Sequence, residues 1–150
     1  MTAAELTKMV YADNTQALLD ATDKLCRKGS VESLKVLFEC LQDDYDYDHE
    51  MSAILHAAER AEPRVFYATL RASLSELDYR APDWSRRVVK RCLSSPIHAD
   101  PGCHSIEVFL EEVVKESSCT EVVVRIACEL LRERKISKVV GAIVKRTLET

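Results

Sequence analysis

Glycine and proline are scarce in this chain, which has three glycines and four prolines among 150 residues. A sheet with many tight turns needs more of both, so their scarcity favours helices. The sequence also lacks any run of 18 apolar residues free of charge, which excludes a lipid-spanning role. The composition, 47% hydrophobic and 31% charged, is that of a soluble globular protein. We therefore expect one domain over residues 1–150.

Signals for export or cross-linking are also missing. The N-terminus has no basic stretch followed by an apolar run, so we expect no signal peptide and a cytoplasmic protein. No pair among the six cysteines has CxxC spacing, and four of them, Cys26, Cys40, Cys92 and Cys128, fall in apolar helical stretches. We interpret the cysteines as reduced and mostly buried, with a redox or metal role as the alternative.

Apolar residues recur at spacings of three and four almost throughout, which predicts amphipathic helices. Thr2 and Glu5 form a possible capping box, Asp13-Asn14 breaks the first pattern, and Gly29 ends the second. Further helices are predicted to begin near residues 30, 48, 63, 81, 103, 120 and 137. We predict an all-α fold in which antiparallel hairpins stack as a short HEAT-like α-solenoid of about seven to nine helices. Consecutive valines at 122–124 leave a short strand as an alternative.

Charge is unevenly distributed along the sequence. Residues 1–62 carry thirteen acids against six bases, whereas residues 63–150 carry twelve against fifteen. Five of the acids fall within residues 43–50, the sequence DDYDYDHE, which contains no lysine or arginine. Such asymmetry affects the encounter with partners more than the fold.

We call residues 43–50 the acidic segment and predict that it is a docking surface, with a solvated loop between helices as the simpler alternative. Tyrosine is enriched at the centres of interfaces, and here two tyrosines alternate with carboxylates. In an extended segment, alternate residues would lie on one side about 6.6 Å apart, a row of charges suited to a basic cleft. The predicted partner-binding residues are Asp43, Asp44, Tyr45, Asp46, Tyr47, Asp48 and Glu50.

Other kinds of site are poorly supported by the sequence. Asp44, Asp46 and Asp48 match the first, third and fifth positions of a calcium loop, but the required glycine and glutamate are absent. The histidines and Cys103 lack the spacing of a transition-metal site, and no nucleophile motif or phosphate-binding loop occurs. Basic residues are scattered over Arg86–Arg91 and Arg132–Arg146, which does not form the stripe typical of a nucleic-acid binder. We therefore predict no metal, no cofactor and no enzymatic activity.

Residues 66–95 resemble the immunity protein 30 family, whose members are all-helical proteins of bacterial polymorphic toxin systems. The matching residues are Tyr67, Leu70, Leu74, Leu77, Ala81, Pro82, Trp84, Arg91, Leu93 and Ser94. The resemblance implies a cytoplasmic antidote that neutralises a neighbouring toxin by tight binding and has no catalytic residues. The matching residues have structural roles and do not define the interface. The prediction of the docking site therefore depends on the charge and the tyrosines of the acidic segment.

These observations predict an immunity protein that binds a cognate toxin and occludes its active site. The acidic segment suits a basic target such as a nuclease. A HEAT-like adaptor that holds another cellular protein is the first alternative, and a metal-dependent enzyme is the second. Trp84 is assigned to packing.

Overall fold

The computed structural model describes residues 1–149, which form nine α-helices and one short 3-10 helix and contain no strand. The all-α prediction is therefore confirmed, and the valine-rich stretches are helical. The 3-10 helix is Tyr45–Tyr47. The α-helices are α1 (Ala3–Tyr11), α2 (Thr15–Lys28), α3 (Val31–Cys40), α4 (Asp48–Glu59), α5 (Pro63–Arg80), α6 (Pro82–Leu93), α7 (Ile106–Val113), α8 (Ser117–Arg132) and α9 (Lys138–Leu148).

Local sequence signals account for most helix ends. Thr2 and Glu5 form the predicted capping box of α1. Gly29 ends α2 with φ of 63°, a left-handed conformation that glycine adopts without steric cost. Pro63 and Pro82 occupy the first positions of α5 and α6, where a missing N–H breaks no helical hydrogen bond. The predicted starts are confirmed to within a few residues, although α7 begins at Ile106 rather than near 103.

The helices pack as two layers, since contacts join alternate members of the series. In one layer α3 packs against α1 and α5, and α5 packs against α7; in the other α2 packs against α4, and α6 packs against α8. This pattern is typical of stacked hairpins, while the more specific HEAT-like solenoid stays a prediction. The core runs through both layers and includes Trp84, which is 3% exposed. Its assignment to packing is confirmed.

The pair α4 and α6 interrupts this pattern. Their backbones barely touch, and two ion pairs bridge the gap: Arg87 with Asp48 and Arg91 with Glu59. A groove therefore opens between α4 and α6 in a layer that is otherwise closed. Its floor is formed by the first turns of α5.

The loop between α6 and α7 closes one end of this groove through His104. The imidazole Nε2 lies 2.9 Å from the Glu59 carbonyl oxygen, and Nδ1 lies 3.0 Å from the Tyr67 hydroxyl. Because a carbonyl only accepts hydrogen bonds, Nε2 donates to Glu59, while Nδ1 pairs with the Tyr67 hydroxyl. His104 thus ties the loop to both α4 and α5.

The cysteines are all free, but they are less buried than the sequence predicts. Cys40, Cys92 and Cys119 are buried, whereas Cys103 and Cys128 are exposed. Burial raises the pKa of Cys40 to about 11 and that of Cys119 to about 12, so both thiols stay protonated near neutral pH. Cys128 lies on the outer side of α8, so the expectation that the cysteines are mostly buried is wrong for this residue.

No helix in residues 1–149 combines the length and the apolar character needed to cross a membrane.

Candidate functional site

The acidic segment is compact and not extended. It turns through the 3-10 helix Tyr45–Tyr47 and enters α4 at Asp48. The predicted row of alternating charges at extended spacing is therefore wrong. Helical geometry prevails because the Asp44 side chain caps the turn, its Oδ1 accepting a hydrogen bond from the Asp46 backbone N–H at 3.2 Å.

Asp43 serves the fold directly. Its two carboxylate oxygens accept hydrogen bonds from the backbone N–H groups of Asp83 and Trp84, at 2.9 and 3.1 Å. These N–H groups lie in the first turn of α6, where no intrahelical acceptor exists, and the negative charge suits the helix dipole. Asp43 therefore caps α6 from a segment about 40 positions earlier and anchors the acidic segment to it.

Replacing Asp43 with alanine should destabilise the protein by about 1–2 kcal/mol, the usual cost of losing a helix cap. The free energy of unfolding from urea titration measures this effect. Asp46→Ala is the matched control, since the Asp46 carboxylate has no partner within residues 1–149. Equal stability of the two variants would contradict the capping role.

The side chains of Tyr11 and Tyr47 pack together and support the turn of the acidic segment. Their rings meet edge to face with centroids 4.6 Å apart, and the Tyr11 hydroxyl lies 3.1 Å from an Asp44 carboxylate oxygen. Tyr47 is half-buried by these contacts. Desolvation, followed by the charges of Asp13 and Asp44, raises the pKa of Tyr47, so its hydroxyl stays neutral. Tyr47 is mainly a support of the turn.

Tyr45 is placed differently, since 73% of its surface is exposed. Its hydroxyl donates a 2.7 Å hydrogen bond to Asp83, and that bond, followed by the Asp83 charge, raises the pKa of Tyr45. The ring is thus held upright on the surface, with its faces available to a partner.

The remaining acids divide into one that is paired and two that are not. Asp48 forms the ion pair with Arg87. By contrast, neither Asp46 nor Glu50 makes a side-chain hydrogen bond or ion pair within residues 1–149. Of the five carboxylates predicted to bind a partner, Asp46 and Glu50 are therefore the two whose oxygens are not already engaged within residues 1–149.

One contact of the acidic segment was not predicted from the sequence: Asp83 holds Tyr45. An exposed tyrosine was missed as well, since Tyr79, near the end of α5, is 92% exposed. The Arg80 guanidinium donates to the carbonyls of Phe38 and Leu41, which fixes the end of α5 beside the chain entering the acidic segment. The apolar periodicity of α5 places Tyr79 on the outer face of the helix, so its exposure could have been predicted from the sequence.

The other candidate groups are dispersed or used internally. Within residues 1–149, no three histidine, cysteine or acidic side chains converge as ligands for one metal ion. His98 bonds to Glu107 on the surface, His49 is exposed, and both nitrogens of His104 are engaged. Several of the scattered bases are paired: Arg86 binds Glu129 in α8 and Glu133 just after its end.

Comparison with known proteins identifies a family. The model of a family described as Immunity protein 30 matches residues 5–100, more than half of the chain. The match covers helices α1–α6 and the acidic segment with its supports. No curated protein and no solved structure matches significantly. The chain, all-helical with the acidic segment capping α6, belongs to the immunity protein 30 family.

Proposed function

We propose that this immunity protein neutralises a bacterial toxin by binding it directly, with the acidic segment against a basic cleft such as that of a nuclease. Family membership supports the role of a non-catalytic inhibitor of a cognate toxin. The whole chain would act as one domain, without a cofactor, in the cytoplasm.

The observation that carries the proposal is the pair of unpartnered carboxylates beside an exposed tyrosine. Besides desolvation, the charges of Asp46 and Glu50 both contribute to the raised pKa of Tyr47, and the exposed Tyr45 directly precedes Asp46 in the chain. The segment that bears them is held by Asp43, whose carboxylate caps α6. A partner would therefore meet a charged surface that needs little ordering on binding, which favours affinity.

Electrostatics would also assist the encounter. Residues 1–62 carry a net charge of −7, and the acidic segment concentrates five of those acids. Attraction to a cationic cleft accelerates association by roughly ten to a thousandfold and weakens as salt rises. Because a nuclease must bind phosphates, its active site supplies the complementary charge.

The proposal is tested with the toxin encoded next to this chain. The purified chain should form a complex with the toxin, protect cells that express it and inhibit its activity in proportion to the amount added. If the toxin is a nuclease, its nucleic-acid substrate should compete with the chain, and salt should slow association. Protection without a complex would contradict direct binding. Stable capture of a different cellular protein, without protection, would favour an adaptor.

A further inference from the structure

The groove between α4 and α6 has a volume of about 760 Å³. Phe66 and Tyr67 of α5 lie at its floor, and Trp84 and His104 border them. The rings pack edge to face, with the His104 ring 5.3 Å from each of Phe66 and Tyr67 between centroids. The floor is therefore largely aromatic, and its rings are almost completely buried, with Phe66 2% and Tyr67 1% exposed.

The wall formed by α6 is basic. It presents Arg87, Lys90 and Arg91, whereas Glu59 on α4 is the one carboxylate among the described lining residues. That carboxylate is already occupied, since Arg91 binds both of its oxygens at 2.9 Å. The groove thus retains a positive excess although the chain as a whole has a net charge of −4.

Two of these cations have unused binding capacity. The Arg87 guanidinium lies 4.6 Å above the Trp84 ring and uses one amino group on Asp48, which leaves other N–H donors free. Lys90 is exposed and makes no ion pair within residues 1–149. Arg87 and Lys90 also line a smaller depression of about 270 Å³ beside Tyr45, so they stand between the groove and the acidic segment.

We infer that this groove receives a carboxylate-bearing segment of the toxin, held by Lys90 and by the free donors of Arg87. The inference rests on the proposed function and names a second contact with the same partner. The basic wall binds the acid of such a segment. A nucleic-acid strand suits the groove less well, because its phosphates would also face the neighbouring acidic segment.

Two contacts of opposite sign would fix the orientation of the toxin. A toxin that has carboxylates beside its basic cleft would make both contacts. A toxin whose surface is basic throughout would be repelled at Lys90. The groove would therefore supply specificity and the acidic segment would supply steering.

The decisive variant is Lys90→Glu. Lys145→Glu on α9 is the control, because Lys145 is also exposed and also makes no ion pair within residues 1–149, so the charge change is the same. Lys90→Glu should weaken toxin binding at least tenfold, mainly through faster dissociation, and Lys145→Glu should change it less than twofold. If the acidic segment were the whole interface, the extra negative charge at Lys90 would leave binding to a basic toxin unchanged or tighter. That result would overturn the inference.

A second measurement identifies the chemical class without the toxin. At low salt, a fluorescent hexaglutamate peptide should bind the native chain, and Lys90→Glu should reduce that affinity at least tenfold. Failure of the peptide to bind at millimolar concentration, or tighter binding of an oligodeoxythymidine of equal charge, would overturn recognition of a protein carboxylate.

Failure of the groove and failure of the proposed function can be told apart. Charge reversal at Asp46 and Glu50 could abolish toxin binding while charge reversal at Lys90 has no effect. That result would reject the groove as a contact and leave the proposed function standing. The absence of any complex with the toxin would reject the proposed function, while the peptide measurement would still decide the chemistry of the groove.

Discussion

Replacing Asp46 and Glu50 together with lysine should weaken toxin binding at least 100-fold while the helical circular dichroism is preserved. Neither side chain has a partner within residues 1–149, so the substitution breaks no internal bond. Like charges brought together across an interface cost several kcal/mol, and at about 1.4 kcal/mol for each factor of ten two of them suffice for this loss. Calorimetry or surface plasmon resonance at low and physiological salt measures the effect.

The matched control is the double variant Glu32→Lys, Glu121→Lys. Both glutamates are exposed, and Glu32 lies in the first turn of α3 as Glu50 lies in the first turn of α4. The control changes net charge equally and should slow association only modestly, through the overall field. If the two double variants bound the toxin equally well, the docking surface would lie elsewhere on the molecule.

The largest effect on stability is expected at Tyr67. Its side chain is 1% exposed, and its ring lies 5.4 Å from Phe66 and 5.5 Å from Phe109 between centroids. Tyr67→Ala should lower the free energy of unfolding by about 3–5 kcal/mol, because it removes a buried aromatic ring and leaves a cavity. Since domains are typically stable by only about 5–15 kcal/mol, the variant should be close to unfolding at 37 °C. Urea denaturation followed by circular dichroism measures this.

Two further variants separate the ring from its hydroxyl. Tyr67→Phe keeps the ring but leaves Nδ1 of His104 without its hydrogen-bond partner, so it should cost about 1–3 kcal/mol. Tyr79→Ala, at a tyrosine that is 92% exposed, should change stability by less than about 0.5 kcal/mol. A loss at Tyr67→Phe equal to that at Tyr67→Ala would show that the hydrogen bond, and not the packing of the ring, dominates.

Local signals allowed most of the fold to be predicted. The caps at Thr2 and Ser30, the glycine at 29 and the prolines at 63 and 82 each act within a few residues of the helix end that they define. Such short-range effects can be predicted from the sequence, because helix caps and helix-initial prolines have the same local geometry in different proteins.

The roles within the acidic segment could not be predicted in the same way. The segment was correctly identified as charged and tyrosine-rich, but the partners of Asp43, Tyr45 and Asp48 lie about 40 positions later, on α6. Contacts over such separations depend on how α4 and α6 pack, and periodicity does not contain that information. The exposed position of Cys128 was missed for a related reason, since apolar composition does not say which side of a helix faces a neighbour.

The bond from Asp43 to the start of α6 has a mechanical consequence. Any load that draws this carboxylate outward removes both acceptors from the first turn of α6, and that helix also carries Lys90. The acidic segment and the basic wall of the groove are therefore fastened to the same helix, so a substitution at Asp43 would disturb both surfaces at once.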